Sequence, residues 1–326
     1  MQTAKILLLL VLAFAASAST ALAGEKEEWP TKPVEIYMGY PPGGATDMVA
    51  RVYAPIMSKE LGVPVVLMYK PGAAGALCAE YIAGVKPDGY IIQEGSYNVI
   101  ATRPHTVKTT MKPSDFTFIL SHCTSNFAFV IRNDAPWRNF KEWVEAARVK
   151  PGSTYGTNGA YSNGHIIMEW IVRREGVKGV HHVPFSGGGE VFAPVLGGHI
   201  DMGWGAGQHL PLVEAGKLRV LLQLNGERDP KIQYITDLYP DLPEPLKLTI
   251  DCPSGLTGPK GMPAPIVQKL SNALKKAIDD EGFRRLMKEN KRVLVQWEGE
   301  DAFKKVQMIS DAYPAFLKQL GFVLKK

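Results

Sequence analysis

The chain has 326 residues, 45% of them hydrophobic, and a formal charge of +5 at neutral pH. That length leaves room for two lobes of ordinary domain size. No dense Lys/Arg stripe with interleaved aromatics is present, so nucleic acid is not an expected partner, and Cys78, Cys123 and Cys252 are too widely spaced for a C-x-x-C metal or redox pair.

The first residues read as an export signal. Lys5 supplies a positive start, Ile6 to Ala16 is uninterruptedly apolar, and Ala21-Leu22-Ala23 precedes Gly24. This is an A-x-A-like cleavage site. The apolar run is short of the roughly 20 residues a membrane span needs. The expectation is a cleaved signal peptide over 1–23 and a periplasmic mature protein without a lipid anchor. Removing Lys5 lowers the charge by one, and the remaining excess suits an anionic small ligand without requiring one.

Strand-like and helix-like segments then alternate. Val34 to Tyr40 reads as a buried strand. Asp47 to Leu61 reads as a helix with Met48, Val52 and Ile56 on one face, Gly62 as its stop and Pro55 as an internal defect. Val63 to Met68 is a strand, Ala76 to Gly84 a helix, and Tyr90 to Glu94 and Phe116 to Leu120 are strands. Asn139 with Glu142 three residues on forms a capping box for a helix to about Val149. There follow a strand at Thr154 to Thr157, a helix from Ser162 to Arg174, a strand at His181 to Phe185 and a helix from Glu190 to Leu196. Ile200 to Trp204, Arg219 to Leu224 and Leu248 to Ile250 read as strands. The tail is helical, with one apolar face at Ile266, Leu270, Leu274 and Ile278 and another at Phe303, Val306, Ile309, Tyr313, Phe316 and Leu320. Such stripes are core-facing more often than partner-facing. The alternation predicts an α/β fold of mostly parallel sheets flanked by helices.

In parallel sheets ligands bind beyond the carboxyl ends of the strands. Four loops enter helices there: Tyr40-Pro41-Pro42-Gly43-Gly44-Ala45-Thr46-Asp47, Pro71 to Gly75, Gly156 to Ser162, and Phe185-Ser186-Gly187-Gly188-Gly189. Glycines let backbone approach a ligand, and the free N–H groups of a helix start attract an anion. Thr46 is placed to donate a hydroxyl, and Asp47 either caps its helix or accepts from a ligand hydroxyl or amine. None of these loops matches a nucleotide-binding glycine pattern. Catalytic motifs are also missing: there is no H-E-x-x-H and no G-x-S-x-G. His181 and His182 point to opposite faces of a strand and cannot share an ion easily. His165 either orients the Ser162 loop or touches ligand, and Trp204 either walls a pocket or fills a core.

Taken in order, several segments resemble the substrate-binding proteins of tripartite tricarboxylate transporters, the TctC or Bug family. They are Pro42 to Asp47, Lys70-Pro71-Gly72-Ala73-Ala74-Gly75, Lys86-Pro87-Asp88-Gly89-Tyr90, Tyr155 to Gly159 with Ser162 and His165, Val183 to Gly189, Leu196 to Asp201, and Ala215 to Arg219. The chain departs from the usual pattern at Cys78, at Asn163-Gly164, at Trp204 and at Asp251-Cys252-Pro253. The resemblance implies a two-lobed, type II-like periplasmic binding protein whose interlobe cleft holds a small carboxylate, and it leaves the ligand's identity open. Lobe one is expected to hold 24–124 and 250–326, and lobe two 125–249. The carboxylate is expected between Gly43-Gly44 and Gly159 to Ser162, with Thr46, Asp47, Ser162, His165 and Gly188 around it and with Tyr40, Phe185 and Trp204 shaping the rest. Expected partners are membrane transporter subunits, or alternatively a sensor kinase. The protein is expected to be monomeric, cofactor-free, metal-free and non-enzymatic. Cys123 and Cys252 fall near the two crossings between lobes, where a disulfide is one reading and buried small apolar residues the other.

Overall fold

The computed structural model describes residues 28–322, and the signal segment 1–23 lies outside them. Ten strands form two five-stranded sheets. In the first, β1 (Val34–Met38), β2 (Val65–Tyr69), β3 (Ile91–Ser96), β4 (Phe116–Cys123) and β10 (Ser254–Pro259) take the order β2-β1-β3-β10-β4. In the second, β5 (Phe127–Arg132), β6 (Thr154–Thr157), β7 (His181–Pro184), β8 (Met202–Ala206) and β9 (Leu218–Gln223) take the order β7-β6-β8-β5-β9. The two orders follow one plan. Each sheet runs four strands one way and one strand the other, β10 in the first and β5 in the second. Each reversed strand is the first after the chain has changed sheets.

Most predicted elements occupy their places within two residues. The helix Ala45–Leu61 runs through Pro55 without interruption and ends at Gly62, whose φ of 73° is the left-handed geometry that suits glycine. Asn139 caps Phe140–Val149 by accepting from the Glu142 N–H at 3.0 Å, while the Glu142 carboxylate reaches the backbone of Arg138, one residue earlier than a reciprocal box requires.

One strand was misplaced. Leu248 to Ile250 belongs to the helix Glu244–Ile250, where Leu246, Thr249 and Ile250 form a helical buried face behind Pro245. The strand that returns the chain to the first sheet is β10, Ser-Gly-Leu-Thr-Gly-Pro, which has little strand propensity. Gly255 explains it. A Cβ there would lie 2.4 Å from the Leu120 carbonyl oxygen, so only glycine lets this strand enter between β3 and β4.

Each sheet buries both faces. The first packs the helices Ala45–Leu61 and Ala264–Asp279 on one side, and Ala76–Ala83 and Tyr97–Thr102 on the other. The second packs Phe140–Val149 and Asn163–Arg174 on one side and Phe192–Leu196 on the other. The tail helix Gly299–Gln319 serves both cores. Its Ala302, Val306 and Ile309 pack with the first sheet, and Tyr313, Phe316 and Leu317, with Leu320 just beyond, pack with the second. The predicted stripe was therefore core-facing, but it faces two cores.

The proposed disulfide is absent, since all three cysteines are free and buried. Cys123 lies in the core on one face of the first sheet and Cys252 in the core on the other. The Cys123 sulfur faces His122 Nδ1 at 3.2 Å instead.

Candidate functional site

The carboxyl ends of equivalent strands meet across the cleft. Tyr40, Gly44, Ala45 and Thr46 follow β1, Ser96, Asn98, Val99 and Arg103 lie at and beyond the end of β3, Asn158, Ser162 and Asn163 follow β6, and Ala206 and Gln208 lie at and beyond the end of β8. Together with Ser125, Phe127, Gly188, Trp204 and Ser254 they line a cavity of about 80 Å³. The lobes touch around it. A Cβ on Gly187 would lie 2.8 Å from Pro41, one on Gly189 3.0 Å from the Gly43 carbonyl oxygen, and one on Gly159 3.1 Å from Ala74. The cleft is therefore closed, and glycines on the second lobe permit the closure.

Two long helices start at this cavity. Gly44 precedes Ala45–Leu61 and Ser162 precedes Asn163–Arg174, and both residues line the wall. Their first-turn N–H groups have no partner within the helix and carry its positive end. Among the described residues no Asp or Glu lines the cavity, and Arg103 is the one charged side chain in its lining. Asn98 Nδ2 donates to Asn163 Oδ1 across the cleft, and Asn163 Nδ2 donates to the Thr249 carbonyl at 2.9 Å.

Of the residues expected here, Tyr40, Gly44, Thr46, Ser162, Gly188 and Trp204 line the cavity, and Gly43, Asp47, Gly159, His165 and Phe185 do not. Asp47 points away. It accepts from the Gly43 N–H at 2.8 Å, from Arg51 Nε at 2.9 Å and from the Tyr69 hydroxyl at 2.6 Å, which pins the glycine turn from behind. Burial alone would raise its carboxyl, but these three bonds hold it below the usual range. Gly43 and Gly159 act as points of lobe contact. His165 stands behind the Ser162 loop, accepts from the Tyr161 N–H at 2.8 Å and stacks on His182 with centroids 4.0 Å apart. Burial, then the charges of Arg103 and Arg173, push it down to about 4. Phe185 packs over Gly156.

The Ser162 hydroxyl is engaged within its own loop. It donates to Thr157 Oγ1 at 3.0 Å, and Thr157 donates to the Gly159 carbonyl. Ser162 must turn from Thr157 before it can donate to a ligand. Trp204 fills both expected roles: it is buried against Phe127 in a stack of 4.9 Å and also closes one wall. Gly164 makes room for it, since a Cβ there would lie 2.5 Å from the indole.

Sequence reasoning missed Ser96, Asn98, Arg103, Asn158 and Gln208. The signal available for Asn98 was its place just past a strand end, the rule that identified the other loops. Nothing local marks Arg103 as buried. Among the described residues, no group of three or more His, Cys, Asp or Glu side chains is placed to hold a metal.

The fold and the closed cleft between the two sheets define a two-lobed binding protein of the periplasmic type. Residues 49–322 match the family model for the tripartite tricarboxylate transporter family receptor, and the chain belongs to that family. A protein of Cupriavidus necator, described as a UPF0065 protein in the gbd 5' region, is 34% identical over 281 residues, covering 83% of each chain. A solved structure described as a periplasmic transporter superposes with a TM-score of 0.82 at 25% identity, covering 91% of this chain and all of that one. An R. palustris protein solved with adipate shares the fold at 23% identity, with a TM-score of 0.79 over 90% of this chain and 99% of that one.

Proposed function

We propose that the mature protein, residues 24–326, is a periplasmic solute receptor that closes on a small carboxylate and presents it to membrane transporter subunits. Its two lobes are 24–124 with 250–326, and 125–249, and the tail helix braces them. The observation that carries this reading is the cavity itself: it is closed, lined by no acidic side chain among the described residues, and bounded by two helix starts from opposite lobes. Backbone donors with a positive helix end suit a carboxylate. By the scale on which one water needs about 10–15 Å³, the cavity of about 80 Å³ admits only a small molecule. Binding on both lobes favours the closed form, because only there do all the donors converge.

Thermal-shift screening of the mature protein against a carboxylate library tests the first half. A ligand at about 100 times its Kd adds about 2.7 kcal/mol to the folded state. A library that leaves the midpoint unchanged sinks the reading. Solute uptake by a strain lacking the gene tests the second half. Intact uptake with lost induction of ligand-responsive genes would reassign the receptor from transport to signalling.

A further inference from the structure

The two sheets end in four edge strands, β2 and β4 in the first and β7 and β9 in the second. A bare edge presents free N–H and C=O groups to any other strand, and proteins blunt it with covers, charges, prolines or short runs. Among the described residues three of the four are blunted. The segment Val293 to Trp297 covers β4: the Trp297 carbonyl accepts from the Ser121 N–H at 2.9 Å, and the Val295 N–H donates to the His122 carbonyl at 3.1 Å. β7 is four residues long and ends in Pro184. β9 carries Arg219 and is bridged at Gln223 to Tyr234. β2 has none of these devices. It reads Val-Val-Leu-Met-Tyr, five residues without a charge, a proline or a bulge, and Val66 is 39% exposed.

The pairing shows which backbone groups of β2 are free. Val34 donates to the Pro64 carbonyl and Lys70 to the Met38 carbonyl, both at 2.9 Å. By alternation Val66 and Met68 turn their backbone to β1, and Val65, Leu67 and Tyr69 turn theirs outward. Of those outward groups, the Val65 N–H is the one engaged among the described residues, by Ser58 Oγ at 2.8 Å. The edge borders a groove of about 890 Å³ between β2 and the helix Ala45–Leu61. Val65 and Leu67 line its strand side, Arg51 and Lys59 its helix side, and no Asp or Glu lines it among the described residues. Arg51 Nη2 donates to the Tyr69 hydroxyl at 3.0 Å at one end, and Ser58 holds Val65 at the other, so helix and strand run side by side. From Arg51 to Lys59 the helix rises about 12 Å, close to four residues of extended strand at about 3.3 Å each. Residues four apart on a strand point the same way.

We infer that β2 accepts an added strand from a partner protein, an extended peptide whose acidic side chains, four residues apart, fall beside Arg51 and Lys59. Main-chain bonds to Leu67 and Tyr69 hold the strand, and the cations choose its sequence. Asp47 neutralises much of Arg51, so exposed Lys59 carries the larger share of that choice. The groove shares no lining residue with the cavity, so this docking surface stands apart from the carboxylate reading.

The probe is a labelled peptide, Thr-Glu-Val-Thr-Val-Glu-Thr, titrated into the mature protein at low salt and followed by fluorescence anisotropy. It should bind about tenfold or more tighter than the same peptide with Lys for both Glu, and than the same peptide N-methylated throughout. Lys59→Glu, a change on an exposed helix face, should weaken the acidic peptide by about tenfold and improve the Lys peptide. Leu67→Pro, which removes an outward N–H, should weaken both. Amide exchange read by NMR keeps the test independent of how well that variant folds: the acidic peptide should slow exchange at Leu67 and Tyr69 of the wild type. No binding by about 1 mM, on a scale where that is about −4.1 kcal/mol, overturns the inference. Equal binding of the acidic, Lys and N-methylated peptides does so too, as does protection that maps away from β2. Sedimentation of the free protein as a dimer, with Leu67 and Tyr69 already protected, would give the edge to a second copy of the chain and overturn it as well.

Discussion

The two lobes share a strand plan and differ in how they bury histidine. Behind the first sheet, His122 is fully buried with Nε2 3.0 Å from the Glu94 carboxylate, which also accepts from the Tyr53 hydroxyl at 3.0 Å. Burial alone would lower the His122 pKa, but Glu94 and the Cys123 sulfur raise it to about 10, so the imidazole is held as a cation. In the second lobe His165, His182 and His209 are pushed down to about 4, 3 and 3, in each case first by burial. His165 adds its charge against His182, and Arg292 and Lys291 add theirs against His209. Of the two fully buried histidines, His122 is thus held charged in the first lobe and His209 neutral in the second. A carboxylate that shares the burial decides which.

The strongest way to break this comparison is Glu94→Ala. It leaves His122 buried without its counterion, and removing one partner of such a pair costs about 3–5 kcal/mol. Urea unfolding measures it. The double variant Glu94→Leu with His122→Leu should recover much of that loss, because the buried charge goes with its partner. A single-variant loss below about 1 kcal/mol would mean that the pair is hydrated, as exposed pairs are.

Stability against pH sharpens the comparison, because His122 contributes with the opposite sign to the second-lobe histidines. The folded value of His122 lies above its unfolded value of about 6.5. Its contribution is complete below about 6.5 and is lost as pH rises towards about 10. The folded values of the second-lobe histidines lie below about 6.5. Their contribution is present above that value and is lost as pH falls through about 4 and 3. His122→Asn should flatten the alkaline limb and leave the acid limb in place, and His209→Leu should do the reverse. Equilibrium unfolding from pH 4 to 10 reads both, and a limb that moves with the wrong variant breaks the assignment.

Packing effects come next. In the second lobe, Gly164→Ala drives a methyl into the Trp204 indole. It should lose about 1–3 kcal/mol of stability, as overpacking does, and should weaken ligand binding because Trp204 is a cavity wall. Unchanged calorimetric affinity would confine Trp204 to the core. The smallest change is Ser162→Ala, expected to weaken carboxylate binding by about tenfold, or 1.4 kcal/mol. Its hydroxyl proton is held by Thr157 in the closed form, so unchanged affinity would mean that it never turns to the ligand.

Much of the fold was legible because its signals are local. Strand and helix starts follow from hydrophobic period, capping residues and glycine stops, as Asn139 and Gly62 illustrate. The glycine loops after β1 and β6 announced the cleft for the same reason. Residues whose role depends on a distant partner were not legible. The sequence left Asp47 between a cap and a ligand contact and His165 between orienting its loop and touching ligand, and only the bonds of Asp47 to Tyr69 and Arg51 and the stack of His165 on His182 show where each side chain is engaged.

The sequence by itself therefore determined the alternation of elements, the glycine turns that lead into helices, and the ordered motifs of the family. The tertiary structure decided that a glycine-rich segment becomes β10, that the tail helix joins two cores, and that Arg103 is enclosed without a counterion. The physical reason is one of range. Backbone conformation and capping are fixed by neighbours within a few residues. Strand insertion, burial and charge state are fixed by contacts such as Gly255 with Ser121, or His122 with Glu94, which exist only after the chain has folded back on itself.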